Sequence, residues 1–478
     1  RVLRNADTAI QELEAADLLE TMEESVRRRR FGDVVQLAVH HDMPDSMLNL
    51  LIKNFRIEPK AVYKLSMPLD MGSLMELTKI ERFDLKDEPF LPRTNAGFRL
   101  EEKEENIFAA IRRQDILVHH PYDSFESVIS FLRVAARDPD VLAIKQTLYR
   151  VGQNSPVVRA LLEARRDFGK QVAALVELRA RFDEESNIEW AKRLEHEGVH
   201  VTYGLPDLKI HAKVTLVVRK EGDRIRRYVH LGTGNYNSAT ARVYEDFGLF
   251  TADEDFGADV SDLFNYLTGY SLQQKYRKLI VAPINLREAL NERIEREIAH
   301  QKLHKNGHMI FKLNALVDKP MIRNLYRASQ AGVKIDLIVR SMCSLRPGIK
   351  GLSENITVRS VLGRFLEHSR IYYFNNNGQD EALLGSADLM THNLNDRVEV
   401  LSPLKERSLV KHIREHVLPI YLEESNGAHL MKSDGTYEKI KTKKVKDIDH
   451  HVQNLFLLNG NAPEEIPVKK EKAKSKSS

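Results

Sequence analysis

The sequence predicts an α/β protein in which one mixed-sheet domain flanked by helices occurs twice, preceded by a smaller α+β head. Three observations carry that expectation. Helical and strand periodicities alternate through the middle and end of the chain, the same order of elements recurs, and the same polar motif closes each copy. The length of 478 residues suits two to four domains at roughly 100–200 residues each. With 42% hydrophobic and 30% charged residues the composition is globular, and no run of about 18 apolar residues exists to span a bilayer. A lone cysteine, Cys343, excludes an intramolecular disulfide framework, argues against a thiolate metal cluster, and fits a reducing cytosolic setting. The chain opens on Arg1 rather than methionine, as a fragment or processed form would, so the lack of a signal peptide carries little weight.

Residues 1–100 read as the head. Thr8 and Gln11 form a capping box ahead of a helix whose face is Ile10, Leu13, Leu18, Leu19 and Met22, ending in the basic run Arg27 to Arg30. Val35, Leu37 and Val39 alternate as a strand, and Asp45 opens a second helix carrying Met47, Leu48, Leu50, Leu51 and Ile52. Leu91-Pro92-Arg93 is the exit loop. No catalytic spacing occurs in this region. At the other end, residues 459–478 hold Gly, Pro, Glu, Lys and Ser with almost nothing to bury, and read as a disordered basic tail. The net charge is only +4, but basic runs at 27–30, 439–446 and 469–478 admit polyanions as partners, with solvated surface as the ordinary explanation of each.

Between these lie the two copies, 101–278 and 279–458. Pro156-Val-Val-Arg159-Ala-Leu161 opens an amphipathic helix that stops at Gly169 and feeds a strand over 172–179. Pro320-Met-Ile-Arg323-Asn-Leu325 opens another, stops near Gly332 and feeds a strand over 333–340. The strands upstream match as well, at 141–145 and 309–312. A chemical signature repeats with them. His211-Ala-Lys213 starts a strand and Gly232-Thr-Gly-Asn235 ends the next, while His368-Ser-Arg370 and Gly385-Ser-Ala-Asp388 do the same 157 and 153 residues later.

Such a motif sets an imidazole, a cation, a hydroxyl and a carboxamide or carboxylate on neighbouring strand ends. Phosphoryl transfer uses that set: a neutral histidine attacks phosphorus, cations steady the equatorial oxygens, and a second histidine serves the leaving oxygen. The paired His-x-Lys arrangement resembles the phospholipase D superfamily, so the fold expected is two tandem phospholipase D-like domains. The Asp usual five residues after the Lys is replaced by Val218 and Asn375, which points away from a phosphodiesterase and toward the superfamily's kinase branch. Asp115-Ile-Leu-Val-His-His-Pro-Tyr-Asp123, Lys145-Gln-Thr-Leu-Tyr-Arg150, Glu177-Leu-Arg-Ala-Arg-Phe-Asp183, Lys209-Ile-His-Ala-Lys213, Gly232-Thr-Gly-Asn-Tyr-Asn237 and Phe365-Leu-Glu-His-Ser-Arg370 together resemble the long, two-histidine polyphosphate kinase family.

That resemblance implies reversible transfer of the terminal phosphate of ATP to inorganic polyphosphate, with His211 as the phosphorylated nucleophile and His368 at the nucleotide phosphates. It implies that Tyr244 stacks the base, that Arg340 contacts the nucleotide, and that Arg150 and Arg181 fall at the Mg2+ site. A guanidinium has no lone pair to offer a cation, so those two arginines are read as holding phosphate oxygens that magnesium also touches. Lys213 and Arg370 join them as phosphate ligands. The resemblance further implies ATP/ADP and polyphosphate as partners, a dimer or tetramer formed through the head, and a cytoplasmic location, at most peripheral at the inner membrane face. Nucleic acid is not an expected partner. It also implies that the family's amino-terminal helical domain would precede Arg1.

The other sixteen histidines are read as structural. The pairs His40-His41, His119-His120 and His450-His451 lack zinc spacing, with His119-His120 taken as packing before Pro121. The strings Asp246-Phe-Gly248 and Asp255-Phe-Gly257 imitate a protein-kinase magnesium motif by chance, since no His-Arg-Asp loop accompanies them, and no P-loop is present. The Asn355 sequon is discounted, and Trp190, in a helix over 185–197, is assigned to core. A phospholipase D-like phosphodiesterase and a non-catalytic polyanion-binding protein are the competing readings. Retention of both histidines and both cations argues against the second.

Overall fold

The computed structural model describes residues 1–5, 18–29, 31–87, 89–98, 106–180, 183–205, 208–269, 275–422 and 428–440. The expected capping box at Thr8, Arg30, the site residue Arg181, most of the basic run at 439–446, His450-His451 and the tail lie outside them. The chain divides into two units, residues 1–90 with 178–190 and residues 91–177 with 191–478.

In the first unit, strand Val34–His40 lies between Val2–Arg4, antiparallel to it, and Val62–Leu65, parallel to it. Helix Asp45–Phe55 begins where expected, after Pro44, and Leu48 joins Leu37, Val39 and Ile57 in a small core. Val35 departs from the expected alternation. Leu3 pairs with Gln36 and Arg4 with Val34, so Val35 is the extra residue of a bulge and its side chain is turned out, 51% exposed. Trp190 is buried, in helix Glu184–His196.

The second unit contains the repeat, as two mixed sheets. In the first copy Val141–Leu148 runs parallel to Gln171–Val176, which runs parallel to His200–Thr202. On its other side it is antiparallel to Lys213–Glu221, followed by Arg224–Gly232 and Tyr244–Thr251. The second copy sets His308–Leu313, Lys334–Val339, Ile356–Val361, Arg370–Phe374, Glu381–Gly385 and Arg397–Pro403 in the same order. Both crossover helices, Pro156–Arg166 and Lys319–Gln330, carry Pro in the first turn and a side-chain cap, from Ser155 to the Val158 N–H and from Asp318 to the Met321 N–H. Gly169 and Gly332 follow them at φ +62° and +92°, a conformation that costs glycine little. The first-copy strand stops at Val176, short of the expected Arg179, and the Glu177 carboxylate turns to accept the Ile210 N–H at 2.7 Å.

A reciprocal exchange joins the copies. Lys209–Ile210, leading into His211, pairs in parallel with Arg397–Val398 of the second copy, and Leu366–Glu367, leading into His368, pairs in parallel with Tyr244–Glu245 of the first. Each histidine is thereby delivered to the matching strand of the other copy. Among the described residues no helix is long and apolar enough to cross a membrane.

Candidate active site

His211 sits just ahead of strand Lys213–Glu221, and its backbone N–H donates to the carbonyl of Val398 across the exchange. The same contact brings its ring to Glu399, with Nδ1 2.8 Å from Oε2, while Asn393 Nδ2 donates to the other carboxylate oxygen at 2.5 Å. With Glu399 ionised and the proton on Nδ1, Nε2 keeps a lone pair. Burial, then the charges of Lys213, Arg370, Arg397 and His368, hold His211 well below the ordinary histidine range, so the ring is neutral at physiological pH. Lys213 donates to the His211 carbonyl at 2.5 Å. Burial lowers this ammonium well below its usual value, which an anion placed beside it would reverse.

The second copy repeats the geometry. His368 N–H donates to the Glu245 carbonyl, and Nδ1 lies 2.9 Å from both oxygens of Asp246, which also accepts the Thr233 hydroxyl at 2.6 Å. Burial lowers His368 too, but Asp246 opposes it, so this ring holds a proton more readily than His211 does. Burial raises Asp246, but the neighbouring His368 and Thr233 outweigh it and keep the carboxylate below its ordinary range. Arg370 donates to the His368 carbonyl at 2.7 Å and to Asp388 at 2.9 Å, while Asp388 also accepts the Asn314 N–H.

The other expected site residues fall around these two. Tyr244 opens strand Tyr244–Thr251, its ring 5.3 Å from that of His368. Arg340 follows strand Lys334–Val339 and donates to the Glu367 carbonyl at 2.8 Å, one residue before His368. Arg150 adopts φ +52°, and its carbonyl accepts from Asn237 Nδ2 at 2.9 Å. Tyr149, absent from the expectations, meets the His211 ring edge-on at 5.0 Å, with the cationic groups of Arg150, Lys209 and Lys213 within 5.1–5.8 Å of its centre. The donor set is one for phosphate. The carboxylates at its centre, Asp246, Asp388 and Glu399, are engaged by histidine or arginine, so magnesium fits here as a companion of phosphate oxygens rather than in a carboxylate cage. The one cluster of three potential metal ligands among the described residues, His40, His41 and Asp42, is exposed and lies in the first unit.

Three sequence models of one family match the chain: the polyphosphate kinase middle domain over residues 1–77, C-terminal domain 1 over 106–273 and C-terminal domain 2 over 279–451. The chain belongs to the polyphosphate kinase family. It is 54% identical over 441 residues to the polyphosphate kinase of Prosthecochloris aestuarii, covering 92% of this chain and 61% of that one. Identity to polyphosphate kinase 1 of Chlorobaculum tepidum is 54% over 443 residues, covering 92% and 62%. The crystal structure of polyphosphate kinase from Porphyromonas gingivalis superposes with a TM-score of 0.78 at 35% identity, covering 88% of this chain and 64% of that one. The chain thus spans about three-fifths of the length of these curated relatives.

Within this member of the family, the residues that sequence reasoning missed are the carboxylates. Glu399 lies 188 residues from its histidine and Asp246 lies 122 from its own, so no local spacing announces either. One signal was present. The two differ by the same 153 residues that separate Gly232 from Gly385, so they are counterparts in the repeat. Asp246 itself belongs to the Asp246-Phe-Gly248 string, whose likeness to a kinase motif is by chance. His119, taken as packing, is buried with Nε2 2.7 Å from Glu245.

Glycines of the motif allow close approaches that a side chain would block, to a carboxylate in one copy and to the neighbouring strand in the other. A Cβ on Gly234 would stand 2.3 Å from Asp246 Oδ2, and one on Gly385 would stand 1.9 Å from the Val400 carbonyl oxygen, beside Glu399. Gly385→Ala is therefore expected to lose about 1–3 kcal/mol by forcing that strand outward. The urea midpoint checks it, and an unchanged midpoint would show that the strand yields freely.

Burial holds the Glu399 carboxyl up at about 7, against the pull of Lys213 and a Ser386 hydrogen bond. A carboxyl raised in this way is protonated in the fold and ionised in the unfolded chain between its ordinary range and 7, so this group's contribution to stability falls as pH rises through that window. Glu399→Gln, which cannot ionise, is expected to gain on the wild type as pH increases, read from melting temperatures at pH 5 and pH 8. A pH-independent difference would mean that Glu399 is ionised throughout.

Proposed function

We propose that the chain catalyses reversible transfer of the terminal phosphate of ATP to inorganic polyphosphate through a phosphohistidine on His211. The observation that carries this reading is the pairing of a neutral, carboxylate-oriented His211 with cations and a second, more readily protonated histidine. In the forward direction His211 Nε2 forms a bond to the γ-phosphorus as the bond to the β,γ-bridging oxygen breaks. The electron pair leaves with ADP, and His368, backed by Asp246, supplies a proton or hydrogen bond to that oxygen. Positive charge that grows on the His211 ring is met by Glu399 at Nδ1. A terminal oxygen of polyphosphate then attacks phosphorus, the N–P bond breaks and its electron pair returns to Nε2. Lys213 and Arg370 steady the equatorial oxygens in both steps.

Tyr244 is assigned to the base, Arg340 to the nucleotide phosphates, and Arg150 and Arg181 to polyphosphate or nucleotide oxygens. Magnesium, arriving with the nucleotide, would neutralise phosphate charge near Arg150 and Arg181. We assign 1–100 as an oligomerising head, 101–278 and 279–458 as the two catalytic domains and 459–478 as a tail, in a cytoplasmic dimer or tetramer. Incubation with γ-labelled ATP is expected to give an acid-labile, alkali-stable phosphoprotein and, with polyphosphate, ADP and a longer polymer. Cleavage of a phosphodiester without labelling by ATP would replace this reading with the diesterase.

A further inference from the structure

The two motif histidines are delivered by the same backbone exchange but rest on different chemistry. Behind His368, the buried ammonium of Lys312 donates to Glu245 Oε2 of the first copy at 2.7 Å and to Ser369 Oγ at 2.8 Å, and lies 3.1 Å from Glu367 Oε2. The residues immediately before and after His368 are thus tied to one cation that is itself tied across the copies. Glu245 also accepts the Ser369 N–H at 3.2 Å and holds His119, and Tyr421 donates its hydroxyl to Glu367 at 2.7 Å.

Strand registers identify the counterparts on the His211 side. Lys213 pairs with Gly232 as Arg370 pairs with Gly385, Gly232 with Gly248 as Gly385 with Leu401, and Gln146 with Thr215 as Phe311 with Tyr372. Lys312, Glu245, Glu367 and Ser369 therefore correspond to Thr147, Val398, Ile210 and Ala212. Thr147 Oγ1 donates to the Ala212 carbonyl at 2.9 Å, just where Lys312 reaches Ser369. None of those four counterparts is charged, yet they support the same exchange. A buried ammonium and two buried carboxylates are costly to desolvate, and replacing such a set by apolar groups of similar size is often neutral or stabilising. At that junction the Ile210 N–H is taken up by the buried Glu177 carboxylate instead, so the first copy shows that the fold can make the exchange without a buried ammonium.

We propose that Lys312, with Glu245, Glu367 and Ser369, is a positioning cluster that fixes His368 relative to the nucleotide phosphates and is not required for folding. The proposal rests on His368 acting at the leaving oxygen. Strand Tyr244–Thr251 supplies the reason for the arrangement: Asp246 holds the His368 ring, and its neighbour Glu245 holds, through Lys312, the side chains of the residues on either side of it. A displacement of about 1 Å at such a group can cost on the order of 100-fold in rate.

The test transplants the first copy's residues: Lys312→Thr, Glu245→Val, Glu367→Ile and Ser369→Ala together, with Ser369→Ala and Lys312→Arg as single variants. The four-residue variant is expected to fold cooperatively, with a denaturant midpoint lowered only as far as the stranded His119 and Tyr421 partners require, and with kcat lowered about 100-fold and KM for ATP changed only a few-fold. Ser369→Ala is expected to lose about tenfold, and Lys312→Arg to retain more activity than the four-residue variant. An unfolded four-residue variant, a kcat within threefold of wild type in the folded variant, or a fall in kcat that tracks the unfolding midpoint across the series would overturn the proposal. If the wild-type chain is not labelled by ATP, the kinase reading itself fails, whereas a folded variant with wild-type turnover removes only the positioning role.

Discussion

His211→Ala is expected to abolish both covalent labelling by γ-labelled ATP and polymer synthesis. The loss should be complete rather than partial, because the reaction proposed is covalent and needs a lone pair at this point. The nearest alternative nucleophile is Lys213, whose Nζ is turned to the His211 carbonyl. Burial does lower its pKa, which would free an amine, but an amine held by that carbonyl is not aimed where the imidazole was. Asn substituted at the same place should be no better, since a carboxamide does not attack phosphorus under these conditions. The measurement is autoradiography of acid-quenched and alkali-quenched protein, with the melting temperature confirming that the variant folds. Label retained on the His211→Ala protein would remove the residue from its role.

His368→Ala is expected to lower turnover by roughly 10²–10⁴-fold, the range for a general acid that serves one leaving oxygen. The effect should differ in kind from that at His211. The nucleophile and its Glu399 partner are left intact, so a slow accumulation of phosphoprotein should remain measurable over long incubation. Asp246→Asn should give a smaller loss of the same sort, because Asp246 opposes the lowering of the His368 pKa by burial, and the amide cannot. A pH profile separates the two. In the wild type, protonated His368 is favoured at lower pH, so activity limited by the donor falls as pH rises, and Asp246→Asn should move that fall to lower pH. Wild-type rates for His368→Ala would mean that the departing ADP oxygen needs no side-chain donor here.

Much of the fold was legible because it is written locally and twice. Prolines in the first turns of the two crossover helices, glycines at their ends and apolar strands after them are each short-range signals, and their recurrence turned weak indications into a strong one. The histidine motifs were legible for the same reason. What escaped were residues whose meaning depends on the partner brought to them: the Val35 bulge, which depends on how Leu3 and Arg4 pair, and His119, which looked like packing until Glu245 was beside it.

The sequence by itself determined that an α/β domain is duplicated and that His211, Lys213, His368 and Arg370 stand at matching strand starts, because those features repeat over spans of 2–20 residues and leave a periodicity that can be counted. Only the tertiary structure decided which acid serves which base. Glu399 belongs to His211 and Asp246 to His368 because the short strands before each histidine cross to the opposite sheet. A crossing of that kind is made by backbone hydrogen bonds, which residues of almost any type can supply, so no local pattern in the chain announces it. It also carries the asymmetry of the two halves: the Lys312 cluster under His368 and its counterpart without an ammonium under His211 become comparable only when the registers of both sheets are known.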